Sequence, residues 1–316
     1  MSGRFEQLIP RVLVAVVAIP AILWLTLQGG YYFFALVAAI SALALHEFYG
    51  LTRAKGAAPL AVIGIGSGVL LNAAFIYERV QVEVYTAFER MGVRLSMFSQ
   101  NQFILVLLLV LVAIVLLVEL FRSKGSPLIN AGATVLGVLA VGLAFGTLIS
   151  LRELFPYGFP AYKFFPNGIA TDAQLVQIDR WGGWTVIGLF ASIWMCDTAA
   201  YFGGLAFGRH RLFERVSPKK SWEGAVFGFV FAVATMIVVK LLALDYLAMR
   251  HAVVIGVLIG IFGQIGDLVE SRFKRDAGVK DSSSLLPGHG GIYDRFDSLV
   301  YLAPIVYLYV DFIVLS

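Results

Sequence analysis

The run at 103–121, FILVLLLVLVAIVLLVELF, is the feature that most constrains this chain. A helix rises 1.5 Å per residue, so roughly 20 mostly apolar residues are needed to cross a hydrocarbon core about 30 Å thick. This run meets that length, and others follow the same rule. We read nine candidate spans, at about 11–28, 31–48, 58–77, 103–121, 128–151, 183–204, 222–243, 252–271 and 297–315.

Composition agrees. Of 316 residues, 59% are apolar and only 14% charged, and the mean hydropathy is +0.86. A soluble domain carries roughly 45–50% apolar and about 25% charged residues. This chain cannot supply the charged shell that a soluble globule of its size needs. The single cysteine, Cys196, excludes an intrachain disulfide. The short alternating segments of a membrane barrel are absent. The expected fold is all-α: a polytopic integral membrane protein of about nine transmembrane helices, organised as one membrane domain over 1–316. Arg4 and Arg11 precede the first apolar run as in a signal peptide. That run is too long for a simple signal core and more spans follow, so it reads as an uncleaved first span.

Loop charge gives an orientation. With the N-terminus in the cytoplasm, the inner loops hold 16 basic residues and the outer side 8. Such an excess marks the cytoplasmic face. Nine spans then leave the C-terminus outside. The outer loops 78–102 and 152–182 are mixed in charge and carry no visible chemistry. The net charge of +4 follows from the inner loops. A basic inner face suits anionic lipid or phosphate ligands, and no nucleic-acid partner is implied. Residues 1–151 read as apolar scaffold helices with almost no buried charge. Residues 183–316 read as the catalytic helices and loops.

A carboxylate inside a span costs about 2.5–3.5 kcal/mol at the helix centre, so it needs a reason. Asp197 lies in the sixth span and shares a helix face with Tyr201 and Gly204. Asp267 lies near the inner end of the eighth span, followed at helical spacing by Glu270, Ser271 and Lys274. The alternative for this stripe is a helix end with snorkelling charges. Between the sixth and seventh spans runs Ser217-Pro218-Lys219-Lys220-Ser221-Trp222-Glu223-Gly224. Ser217 can cap a helix that Pro218 begins. A helix N-terminus with two lysines is a plausible polyphosphate site, although the lysines alone also fit a plain positive-inside loop.

The last inner loop, 271–297, is the richest. Five bases and the acids Asp276, Asp281, Asp294 and Asp297 interleave there. Pro287-Gly288 and Gly290-Gly291, around His289, allow tight turns and close backbone approach to a ligand. Oxygen ligands for a hard cation beside Lys and Arg for phosphate are what Mg²⁺–phosphate chemistry requires. Other matches are weaker. His46-Glu47 lacks the second histidine of a zinc helix, and the four histidines and one cysteine show no metal-ligand spacing.

The stretch Ser271–Asp297 resembles the signature of the phosphatidate cytidylyltransferases, or CDP-diacylglycerol synthases. Its fixed positions are filled by Ser271, Lys274-Arg275, Lys280-Asp281, His289-Gly290-Gly291, Asp294-Arg295 and Asp297. Asp197–Tyr201 with Gly204, Ser217–Lys220 with Glu223-Gly224, and Gln264–Leu268 resemble further blocks of that family. Ser221 stands where the family more often has Thr. The resemblance is strong over roughly 190–298 and is mostly hydropathy over the first half.

This resemblance implies that CTP and phosphatidic acid in the bilayer give CDP-diacylglycerol and pyrophosphate, with Mg²⁺ required and a second cation left open. It implies Asp267, Asp281 and Asp294 as metal ligands. Lys219, Lys220, Lys274, Arg275, Lys280 and Arg295 would divide between the CTP phosphates and the phosphatidate headgroup, with Ser271 beside them. Asp197, Ser217 and Glu223 would shape the nucleotide or metal site. His289, Gly290 and Gly291 would offer N–H groups to the leaving pyrophosphate. A homodimer is left open. The lack of an Arg- and Ser-rich leader favours a bacterial plasma membrane.

Three alternatives fit the sequence less well. A secondary transporter would place its charges at the midplane within inverted repeats, whereas these charges sit toward one face and no repeat is visible. A CDP-alcohol phosphotransferase would need Asp-Gly pairs, and the chain has none. A CTP-dependent polyprenol or phytol kinase would not need the full signature.

Overall fold

The computed structural model describes residues 2–93, 96–155, 171–285 and 290–315, without the side chains of 2–11 and 13–15. The helices are α1 (Ser2–Gln28), α2 (Gly30–Ala54), α3 (Ala61–Ala74), α4 (Tyr77–Arg90), α5 (Gln100–Phe121), α6 (Pro127–Arg152), α7 (Asp172–Phe207), α8 (Trp222–Ala243), α9 (Met249–Asp276) and α10 (Tyr293–Val314). A short antiparallel hairpin, β1 (Arg211–Phe213) and β2 (Ser217–Ser221), joins α7 to α8. π-helical turns interrupt α6 at Val138–Gly142 and α9 at Ile259–Gly263.

By length and composition, seven of these helices can cross a membrane among the described residues. The number rises to eight if α3 and α4, bent 62° from each other, form one broken span. The described residues thus do not confirm the expected nine. The candidate at 11–28 falls in α1, whose early side chains lie outside the described residues. The expected outer loops are also revised. Residues 77–90 form α4, and α7 begins at Asp172 because Thr171 and Gln174 make a reciprocal capping box ahead of it.

Polar contacts sort the loops into two ends. At one end, Lys55 pairs with Asp276 at 3.7 Å, and Asn130 and Arg122 both bind the backbone of Ala58. At the other, Arg79 donates twice to Glu153, whose second oxygen accepts from Gly30 N at 2.8 Å. Arg152, 1% exposed, donates there to the carbonyls of Thr26 and Leu27 and to Asp179. Glu47 and Glu119 are buried as well. The expectation that residues 1–151 hold almost no buried charge is corrected by these two, and Arg152 adds a buried charge just beyond that range. Each is tolerated because its polar atoms are answered by backbone or side-chain partners.

Small residues set the helix crossings. In lipid, association depends on close packing rather than on a water-driven hydrophobic effect. A Cβ on Gly224 would lie 2.6 Å from the Ala200 carbonyl, and one on Gly228 would lie 2.9 Å from that of Cys196. The Gly-x-x-x-Gly stripe of α8 therefore lets its backbone press onto α7. Gly266 does the same between α9 and α10, where a Cβ would meet Asp297 O at 2.9 Å. On α2, the fully buried Tyr49 fills the space left by Gly64 and Gly137 and donates to Thr134 O at 2.9 Å. That contact fixes the rotation of α2. Glu47, two residues back and about 200° around the helix, then faces away from α3 and α6.

Candidate active site

The close approach at Gly266 has a chemical consequence. It brings α9 and α10 together so that ligand oxygens of Asp267, Glu270 and Asp297 lie within 4.8 Å of one another. Glu270 is 1% exposed. Its Oε2 pairs with Lys274 Nζ at 2.8 Å. A buried carboxylate beside two more carboxylates, with a single lysine against it, forms a donor set that fits a hard divalent cation.

Next to this cluster lies a cleft of 580 Å³. Among its lining residues are Asp197, Tyr201, Gly204, Lys219, Lys220 and Asp267. The Asp197, Tyr201 and Gly204 face of α7 forms one wall. Lys220 crosses from β2 and pairs with Asp267, while Ser271 Oγ donates to the other oxygen of Asp267 at 3.3 Å. A larger cavity, 700 Å³, lies near the opposite end beside Trp24, Arg79, Asp179 and Arg180. It lacks the pairing of lysines with clustered carboxylates, so the smaller cleft is the chemically equipped one.

The lysines reach the cleft from a strand, not from a helix N-terminus. Ser217 and Pro218 belong to β2, with Ser217 opposite Phe213, so the expected cap at Ser217 is wrong. The helix starts four residues later. Ser221 Oγ accepts from Gly224 N at 3.2 Å and caps α8, while Trp222 N donates to His210 O and closes the hairpin. A threonine offers the same capping oxygen, so Ser221 is an equivalent choice. Glu223 turns onto the hairpin, accepting from Arg209 N and His210 N and pairing with His210 Nδ1 at 2.7 Å.

The signature stretch supplies a second polar centre. Asp294, in the first turn of α10, accepts from Lys274 Nζ at 3.0 Å, from Ser282 N and from Gly291 N at 2.8 Å. Gly290 has φ +80, and a Cβ there would lie 2.7 Å from Asp294 Oδ2, so glycine is required on both counts. Asp294 is committed to the loop and to Lys274. Asp281, Lys280 and Arg295 are exposed. The described carboxylate cluster thus shares only Asp267 with the expected metal set of Asp267, Asp281 and Asp294. Arg275 is exposed and donates to Val279 O at 3.3 Å. His289 lies outside the described residues.

One residue of this centre escaped the sequence reasoning. Glu47, 4% exposed on α2, accepts hydrogen bonds from Ser283 Oγ at 2.6 Å, Tyr293 N at 2.7 Å, Ser282 Oγ at 2.9 Å and Ile292 N at 3.0 Å. The signal was available as a carboxylate within a long apolar run, the criterion that singled out Asp197 and Asp267.

Fold and site together define a polytopic helical membrane protein with a lysine- and carboxylate-lined cleft at one end of its bundle. The sequence profile described as the cytidylyltransferase family matches residues 9–313, and the chain belongs to that family. It is 33% identical over 310 residues to a phosphatidate cytidylyltransferase of Synechocystis, covering 95% of each chain. It is 30% identical over 300 residues to one of Bacillus subtilis, covering 94% of this chain and 95% of the other. A third relative with that name, from Brucella suis, is 44% identical over 155 residues, covering 48% of this chain and 57% of the other.

Proposed function

We propose that this chain transfers the cytidylyl group of CTP to phosphatidic acid, giving CDP-diacylglycerol and pyrophosphate. The observation that carries this reading is the meeting of Lys219, Lys220, Asp197 and Asp267 around one cleft, beside three clustered carboxylates, in a member of the cytidylyltransferase family. The phosphate monoester oxygen of phosphatidic acid attacks the α-phosphorus of CTP. The bond from that phosphorus to the bridging oxygen breaks, and pyrophosphate leaves with the bonding pair. The nucleophile is already anionic near neutral pH, so no strong general base is required. The protein's task is positioning and charge neutralisation.

Lys219 and Lys220 neutralise CTP phosphates from the hairpin side, and Asp197 shapes the far wall. Lys274, held between Glu270 and Asp294, fixes the signature loop against α9. Asp267, Glu270 and Asp297 would hold Mg²⁺, which supplies polarisation of phosphate oxygens when bound. Gly291 N–H is bound to Asp294, so of this turn Gly290 would be the backbone donor toward the leaving pyrophosphate. The site end of the bundle faces the cytoplasm of a bacterial plasma membrane, where a soluble nucleotide and a bilayer lipid both reach it. Purified chain given labelled CTP, phosphatidic acid and Mg²⁺ should form a lipid-linked CMP. Absence of that product would overturn the reading.

A further inference from the structure

The Glu47 carboxylate reaches four donors from two segments: Ser282 and Ser283 on one side, Ile292 and Tyr293 on the other. Each oxygen accepts twice, which fills the usual capacity of a carboxylate. Among the described residues no cation pairs with it. Its charge is balanced instead by N–H groups at the start of α10, where a helix presents free donors and positive potential. Gly291 leaves the room this needs, because a Cβ there would collide with Ser282 Oγ and Glu47 Oε2. Ser282 is held twice, its N–H by Asp294 and its hydroxyl by Glu47. Phe48, the next residue, packs edge-on against Phe273 of α9 and Tyr293 of α10, with centroids 6.2 and 6.0 Å away.

We infer that Glu47 is a positioning residue for the cytidylyl-transfer reaction, clamping the two ends of the signature loop to the scaffold half so that Asp294 and Gly290-Gly291 keep their register with α9. It touches neither the cleft nor the carboxylate cluster, so it acts through the residues it holds. The inference rests on the proposed function only for its kinetic consequence.

The test compares the full wild-type chain in detergent with Glu47→Gln, Glu47→Asp and Ser283→Ala. Glu47→Gln turns an acceptor into a donor facing donors. Misplacement of about 1 Å can cost roughly 100-fold in rate, so kcat per folded molecule should fall about that much while the KM for CTP stays within about threefold. Glu47→Asp, which keeps the charge, should fall between wild type and Glu47→Gln. In hydrogen–deuterium exchange, the Ile292 and Tyr293 amides should exchange at least about tenfold faster in Glu47→Gln, as loss of a charged acceptor implies. Should Glu47→Gln fail to fold, Ser283→Ala removes one hydroxyl and should still lower kcat about fivefold. Unchanged turnover per folded molecule, with only a lower melting temperature, would overturn the inference. So would unchanged exchange at Ile292 and Tyr293. The exchange measurement needs no substrate, so an inactive wild type would overturn the proposed function and still leave the clamp judged.

Discussion

Lys220 on β2 and Asp267 on α9 form an ion pair across the cleft, each side chain about 30% exposed. Asp267 also stands in the carboxylate cluster, so one residue links the lysine side of the cleft to the side suited to a cation. A charge-assisted contact to phosphate contributes about 1.5–3 kcal/mol. Lys220→Ala should therefore raise the KM for CTP at least about tenfold, and by more than it lowers kcat. Initial rates over a CTP series would check this. An unchanged KM would remove Lys220 from the nucleotide site.

The three carboxylates should share one metal requirement. Asp267→Asn, Glu270→Gln and Asp297→Asn each take an anionic oxygen from the cluster. Even substitutions behind the ligands of a metal site cost about 10–100-fold in affinity, so each variant should raise the half-saturating Mg²⁺ concentration at least about tenfold. Rates across a Mg²⁺ titration would show it. Indifference of Glu270→Gln to Mg²⁺ concentration would remove Glu270 from the metal site and leave it as the partner of Lys274 alone.

Asp281 carries a different expectation. It is exposed, stands in the signature, and has its Cβ 3.6 Å from the position a Gly290 side chain would take. Asp281→Asn should abolish CTP-dependent turnover while leaving expression and melting temperature unchanged. Near-normal activity would leave Asp294 and the three-carboxylate cluster as the essential acids of this region.

Helix crossings also give a prediction about stability. Gly224→Ala must push apart two backbones, and overpacking of this kind costs about 1–3 kcal/mol. Its melting temperature in detergent should fall. At the neighbouring cap, Ser221→Ala should cost about 1 kcal/mol while Ser221→Thr stays close to wild type. Thermal unfolding of the three variants would separate crossing from cap.

The apolar spans were legible in sequence because hydrocarbon thickness and helical rise set their length, and the 103–121 run lies within Gln100–Phe121. The polar stripe Asp267, Glu270, Ser271 and Lys274 was legible from helical spacing. The hairpin was not. Ser217-Pro218 satisfies the local rule for a helix start, as does Ser221 ahead of Trp222. The choice between them is made by pairing with 211–213, which no local rule contains. Glu47 was hidden for a related reason. Its partners lie 235–246 positions away, and beside His46 it looks in sequence like one half of an incomplete zinc helix. Asp297 was visible as a signature position, but its place beside Asp267 depends on the close approach at Gly266.

The central claim is the reaction itself. Purified chain would be given CTP labelled in the cytidine and α-phosphate, phosphatidic acid in mixed micelles, and Mg²⁺, and both phases would be analysed. The account predicts label in a lipid-extractable CDP-diacylglycerol, with one pyrophosphate released per lipid formed. Label remaining in aqueous CDP, with transfer of only the terminal phosphate to a lipid acceptor, would contradict it and make the chain a CTP-dependent kinase.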